Sequence, residues 1–102
     1  MILYNVTIKI DRRVHDEWLA WMKDMHLPAV MATGFFLRHR MLRLMDPPSD
    51  EDGITYAVQY ECSNIGLLRR YFEEEAPALQ RDHAQRYNGR FVAFRTIMKT
   101  VD

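Results

Sequence analysis

The sequence predicts an α+β fold, chain order βαββαβ, in which a four-stranded antiparallel sheet carries its helices on one face. Three observations predict it. Residues 2–10 and 54–62 alternate apolar and polar side chains at the two-residue period of a half-buried strand. Two longer stretches repeat apolar residues at i, i+3 and i+4, the spacing of an amphipathic helix. The halves also echo each other, for each runs strand, capped helix, proline followed by alanine and an aliphatic residue, and then a glycine turn. Pro28-Ala29-Val30 and Gly34-Phe35-Phe36-Leu37 in the first half correspond to Pro77-Ala78-Leu79 and Gly89-Arg90-Phe91-Val92 in the second. Two successive βαβ-type units with right-handed crossovers close into the ferredoxin-like sandwich, with the first and third strands as the central pair.

The first strand, residues 2–10, places Ile2, Tyr4, Val6, Ile8 and Ile10 on one face and Leu3, Asn5, Thr7 and Lys9 on the other. Asp11 follows as a helix N-cap, with Asp16 and Glu17 near the positive end of the helix. Val14, Trp18, Trp21, Met22 and Met25 form that helix's apolar stripe. Pro28 removes an N–H and pushes Leu27 out of the helical region, so the helix is expected to stop near His26 and a short second one to start at Pro28. Gly34 closes it by taking positive φ.

The second strand, residues 35–45, is apolar on both faces, and the segment 46–53 (DPPSDEDG) is a solvated connection whose carboxylates lack calcium-loop spacing. The third strand, residues 54–62, leads to a cap at Ser63 or Asn64. The long helix beyond it has the stripe Ile65, Leu68, Phe72, Ala76, Leu79, His83 and Tyr87, with a bend expected at Pro77. Asn88-Gly89 stops it, and residues 90–101 form the last strand.

The 102 residues make a single domain, 1–102, small enough that pairing with a second copy would help bury its surface. Fourteen Lys+Arg balance fourteen Asp+Glu, which leaves no basic field to gather nucleic acid or an anionic membrane. The opening MILYNVTIKID reads as a strand and not as a targeting leader, and no apolar run approaches the ~20 residues of a membrane span. Cys62 is the sole cysteine, so the expectation is a reduced, cytoplasmic chain without an intrachain disulfide or cysteine metal cluster.

The face of the sheet away from the helices is mixed. It carries Asn5, Thr7, Lys9, Gln59 and Glu61 centrally, flanked by Phe36, Leu42, Phe91, Ile97 and Arg95 if the outer strands keep the same phase. A face neither uniformly polar nor uniformly apolar suits the contact between two copies, so a homodimer joined sheet to sheet is expected.

Tyr4-Asn5-Val6-Thr7, Trp18-x-x-Trp21-Met22, His26-Leu27-Pro28-x-Val30-Met31-Ala32-Thr33-Gly34, Tyr56-Ala57-Val58-Gln59-Tyr60 and Gly89-Arg90-Phe91-Val92-Ala93-Phe94-Arg95-Thr96 together span nearly the whole chain. They resemble a bacterial family of domains of unknown function, DUF4286. The resemblance implies a ferredoxin-like fold of the dimeric α/β-barrel kind. That group includes monooxygenases without cofactors, haem-degrading enzymes, lactone isomerases, and dehalogenating or decarboxylating enzymes.

The candidate ligand-binding residues are Asn5, Trp18, Trp21, His26, Gln59, His83 and Arg95. His26, at the expected helix end, is a general base or else a helix cap. His83 lies on the inner stripe of the second long helix, as a proton carrier or as a hydrogen-bonded core histidine. Trp18 and Trp21 form an apolar wall or plain core. Asn5, Gln59 and Arg95 sit where polar groups need partners, in a ligand or across a dimer. No His/Asp/Glu cluster has metal-ligand spacing, no serine or cysteine has an elbow context, and no glycine-rich loop cradles phosphate, so neither metal nor cofactor is expected.

Three functions are compared. The first is a homodimer binding a small apolar or aromatic molecule between sheet and helices, and the second is a cofactor-independent monooxygenase- or isomerase-like enzyme using the same cleft. The third, RNA binding, fits least. Its aromatic motif would be Gly89 to Phe94, which lies on the last strand and not a central one, and the net charge is zero.

Overall fold

Alternation fixes which side of each central strand meets the helices. In the computed structural model, which describes all residues 1–102, β1 (Ile2–Asp11) and β3 (Gly53–Cys62) pair antiparallel, with Tyr4 opposite Tyr60, Val6 opposite Val58 and Ile8 opposite Tyr56. Residues directly opposite each other project to the same face, so these six stand together under the helices, as the sequence predicts. The edge strands β2 (Arg38–Arg43) and β4 (Phe91–Lys99) complete the antiparallel order β2-β3-β1-β4. This is the ferredoxin-like arrangement. Its core is the helix-facing side of the central pair together with Trp18, Met22, Leu27, Val30, Leu68, Tyr71 and Tyr87, all buried.

The first helical arm departs from expectation. The Asp11 side chain accepts the Arg13 N–H at 2.8 Å and opens a 3₁₀ turn, Arg12–Val14, ahead of α1 (His15–Trp21). The helix does not stop at His26. It passes through a π turn, Met22–His26, into α2 (Leu27–Ala32), and Leu27 keeps helical angles (φ −60, ψ −43). Its N–H donates to the Met22 carbonyl five residues back. The wider turn absorbs the missing donor and ring clash of Pro28, which an α-helical ladder would not. Gly34, at φ 83, then ends the arm as expected.

The second arm bends where a proline was expected to bend it. α3 (Ile65–Glu74) starts at Asn64, whose side chain accepts the Leu67 N–H. α4 (Ala76–Arg86) follows after Glu75 (φ −122), with Pro77 in its first turn. The predicted stripe holds at Leu68, Ala76, His83 and Tyr87, but Ile65 is exposed and Tyr71 is buried beside Leu68.

The outer strands correct a second expectation. Phe91 pairs with Ile10, Arg95 with Val6 and Ile97 with Tyr4, so Phe91, Arg95 and Ile97 lie on the helix side of the sheet and not on its open face. Phe36 precedes the short β2 and is buried against Tyr4, Tyr60 and Tyr71, again on the helix side. An apolar-on-both-faces strand has no alternation from which its phase can be read; the register of β4 against β1 sets it. Leu42, opposite Ala57, does lie on the open face. Val92, Phe94 and Met98 join it there, with Val92 and Phe94 more than 60% exposed.

Candidate functional site

Small side chains open the centre of the helix–sheet interface. Ala93 on β4 and Ala84 on α4 face a floor of Val6, Ile8 and Val58, and between them lies a cavity of about 300 Å³. Met22, Val30 and Leu79 complete its apolar wall, and 13 of its 17 lining residues are hydrophobic. The volume is that of a modest ligand pocket. Its polar lining comes from His26, His83, Arg95, Gln80 and the hydroxyl-bearing Tyr4, Tyr60 and Tyr71.

His83 is held from behind. The indole N–H of Trp18, itself fully buried, donates to His83 Nε2 at 3.0 Å. An indole can only donate, so Nε2 must offer its lone pair and the ring proton of the neutral imidazole must sit on Nδ1. The ring packs edge-on to Phe91 at 4.3 Å. Burial pushes the His83 pKa down to about 4, with His26 and Arg95 adding to the effect and Asp82 opposing it.

His26 stands in the π turn with its ring 5.0 Å from that of Trp21 and 5.7 Å from that of His83. Its Nδ1 is buried without a hydrogen-bond partner. Burial lowers its pKa, against the pull of Asp82, so both imidazoles are neutral at pH 7. Across the cavity Arg95 Nε donates to the Tyr4 hydroxyl at 3.1 Å. Burial raises the Tyr4 pKa more strongly than Arg95 lowers it, and Tyr60 and Tyr71 are likewise pushed upward, chiefly by burial. All three phenols keep their protons.

The structure thus brings together three of the seven sequence candidates, His26, His83 and Arg95, in one lining. Trp18 and Trp21 stand one layer behind it: Trp18 bonds His83, and Trp21 packs on His26, His83 and Tyr87 with the Arg86 guanidinium 5.0 Å from its ring. Neither tryptophan lines the cavity. Asn5 and Gln59 pair on the opposite face of the sheet. There Asn5 Nδ2 donates to Thr7 Oγ1, its Oδ1 is buried without a partner, and Gln59 Oε1 accepts from Arg40 Nε. A helix-cap role for His26 lapses, because the helix runs on through it.

Tyr4 and Gln80 were missed as site residues. The signal for Gln80 was its position one turn before His83 on the same helix face. For Tyr4 it was the pairing with β4 that brings Arg95 to its side. No three His, Cys, Asp or Glu side chains cluster as metal ligands would, and no helix is long and apolar enough to cross a membrane.

The family of domains of unknown function DUF4286 matches residues 1–101. Two solved structures share the fold over almost the entire chain. SnoaB, a cofactor-independent oxygenase from Streptomyces nogalater, aligns with a TM-score of 0.70 at 14% identity, covering 99% of this chain and 94% of its own. HapK from Hahella chejuensis aligns with a TM-score of 0.71 at 10% identity, covering 99% of this chain and 93% of its own. Among curated proteins nothing matches. At these identities the likeness to SnoaB and HapK is one of fold.

Proposed function

We propose that this chain, which belongs to the DUF4286 family of domains of unknown function, binds a small, largely apolar or aromatic molecule in the cavity between its sheet and helices. The observation that carries the reading is the cavity itself: an apolar space of about 300 Å³ at the centre of a small domain, with His26, His83, Arg95 and Tyr4 in its lining. The space opens to solvent beside the exposed Ala84 and Arg95, so a ligand has a way in, and an apolar one would bury the hydrophobic lining on binding. A thermal-shift screen of aromatic acids, phenols and ketones tests the reading, since a ligand preferring the folded state raises the melting midpoint. A screen with no shift from any of them, in a protein shown to be folded, counts against it.

A second reading makes the same cavity catalytic, as a cofactor-independent monooxygenase- or isomerase-like enzyme. The observation favouring it is His26, a neutral imidazole with an unpartnered nitrogen beside the cavity, which suits the removal of a proton from a C–H or O–H acid. The fold shared with SnoaB adds to it. Oxygen uptake, or isomerisation of a bound ketone, that disappears in His26→Ala supports this reading; binding without turnover returns the first.

The assembly proposed is a homodimer through the open sheet face, in a reducing cytoplasm where Cys62 remains a thiol. Val92, Phe94, Leu42 and Met98 form an exposed apolar surface there, and Asn5 offers a buried, unpartnered carbonyl oxygen beside it. Light scattering at micromolar concentration reads the mass directly.

A further inference from the structure

On the reading that the cavity takes an apolar ligand, we propose that its polar lining selects one whose head group is an anionic oxygen, a carboxylate being the simplest form. The argument is a count of donors against acceptors. The Arg95 guanidinium is always a donor and always charged. It donates through Nε to the Tyr4 oxygen, which leaves the Tyr4 O–H hydrogen free for another acceptor. Trp18 occupies the lone pair of His83 Nε2, so the imidazole presents Nδ1–H, and that group has no partner within the protein. Three donors therefore belong to one lining, and no carboxylate side chain belongs to it at all.

The remaining polar groups do not reverse this balance. Gln80, which also reaches the Tyr4 hydroxyl, the neutral His26, and the hydroxyls of Tyr60 and Tyr71 each offer both a donor and an acceptor. Asp82, the anion that acts on both imidazoles, is exposed on α4 and outside the lining. A ligand cation would meet one arginine and no compensating acid. An anionic oxygen would meet the charge-assisted donor of Arg95 at the exposed mouth of the cleft, with its apolar body against the buried Tyr4, Ile8 and Val58.

Trp18 is a positioning residue in this scheme: it touches no ligand but fixes which nitrogen of His83 carries the proton. That role is legible in the chain only after folding, since residues 18 and 83 lie on different helical arms.

Three naphthyl probes separate the possibilities: 2-naphthoate, 2-naphthamide and 2-naphthylmethylammonium, titrated calorimetrically at pH 7 into the full chain and into Arg95→Met. Naphthoate is expected to bind about tenfold or more tighter than the ammonium compound, with the amide between them, as a charge-assisted bond requires. Arg95→Met, at an exposed position and shown by circular dichroism to be folded, should remove about tenfold from naphthoate and little from naphthamide. Nitrogen-15 NMR of the unmodified protein should show His83 protonated on Nδ1, and Trp18→Phe should release that preference. Equal affinities for the three probes, a preference that survives Arg95→Met, or a His83 proton on Nε2 overturns the proposal while leaving a ligand-binding cavity in place. Failure of all three probes to bind overturns the cavity reading and this inference with it.

Discussion

Lowering the pH from 7 to 5 should destabilise this protein through His83, and the size of the effect follows from its surroundings. Unfolded, the imidazole titrates near 6.5; folded, it is held at about 4. The folded state therefore binds its proton later than the unfolded chain does. Stability is full above the unfolded value, falls as pH drops from about 6.5 toward 4, and changes no further from this source below that. Over pH 7 to 5 the loss from His83 alone is about 2 kcal/mol. It is reinforced by geometry, because a protonated Nε2 would confront the Trp18 N–H donor to donor. His26, also lowered, acts with the same sign in the same window.

Asp11 and Asp50, held low by Arg13 and Lys9 first, matter only as pH falls below the ordinary carboxylate range. Urea unfolding at fixed protein concentration measures the effect. With a slope of about 1–2 kcal/mol per molar, the midpoint should fall by about 1–2 M between pH 7 and pH 5. In His83→Gln, whose amide can still accept from Trp18 but does not titrate, most of that fall should vanish. An equal fall in His83→Gln would refute the account of His83 as a buried neutral acceptor.

Three further outcomes are expected. Trp18→Ala removes the largest fully buried side chain of the first arm and the donor to His83, and should cost about 3–5 kcal/mol by denaturant unfolding; an unchanged midpoint would place Trp18 outside the core. Phe94→Arg puts a charge among the exposed apolar residues of β4 on the open sheet face and should convert the proposed homodimer to a monomer by light scattering, with the monomer's circular dichroism intact. Gly53→Ala places a Cβ 2.6 Å from the Ile10 carbonyl oxygen and should destabilise by about 1–3 kcal/mol through backbone displacement at the β1–β3 pairing; calorimetric melting reads it.

What the sequence made legible was whatever its alternation encoded. The central strands alternate cleanly, so their helix-facing residues from Tyr4 to Ile8 and from Tyr56 to Tyr60 were placed correctly, and the strand order followed from them. The edge strands are apolar on both sides, and there the phase of Phe91, Arg95 and Ile97 came out inverted because only the register with β1 determines it. That inversion hid the site, since Arg95 on the helix side meets Tyr4 and lines the same cavity as His83. The π turn was hidden for a different reason: Pro28 argues locally for a break, and only the packing of Leu27 and Val30 into the core keeps the helix continuous. His83 was legible as a polar residue on an inner helical stripe and His26 as a titratable group at an expected helix end, but their proximity to each other was not.

The most direct test of the central claim is a methyl-NMR titration with 2-naphthoate. The account predicts saturable shifts concentrated on the methyl groups of Val6, Val30, Val58, Leu79 and Ala84, which line the cavity, with the methyls of Leu42 and Met98 on the open face no more than marginally moved. Shifts confined to that outer face, or no saturable shift at all in the folded protein, would contradict it.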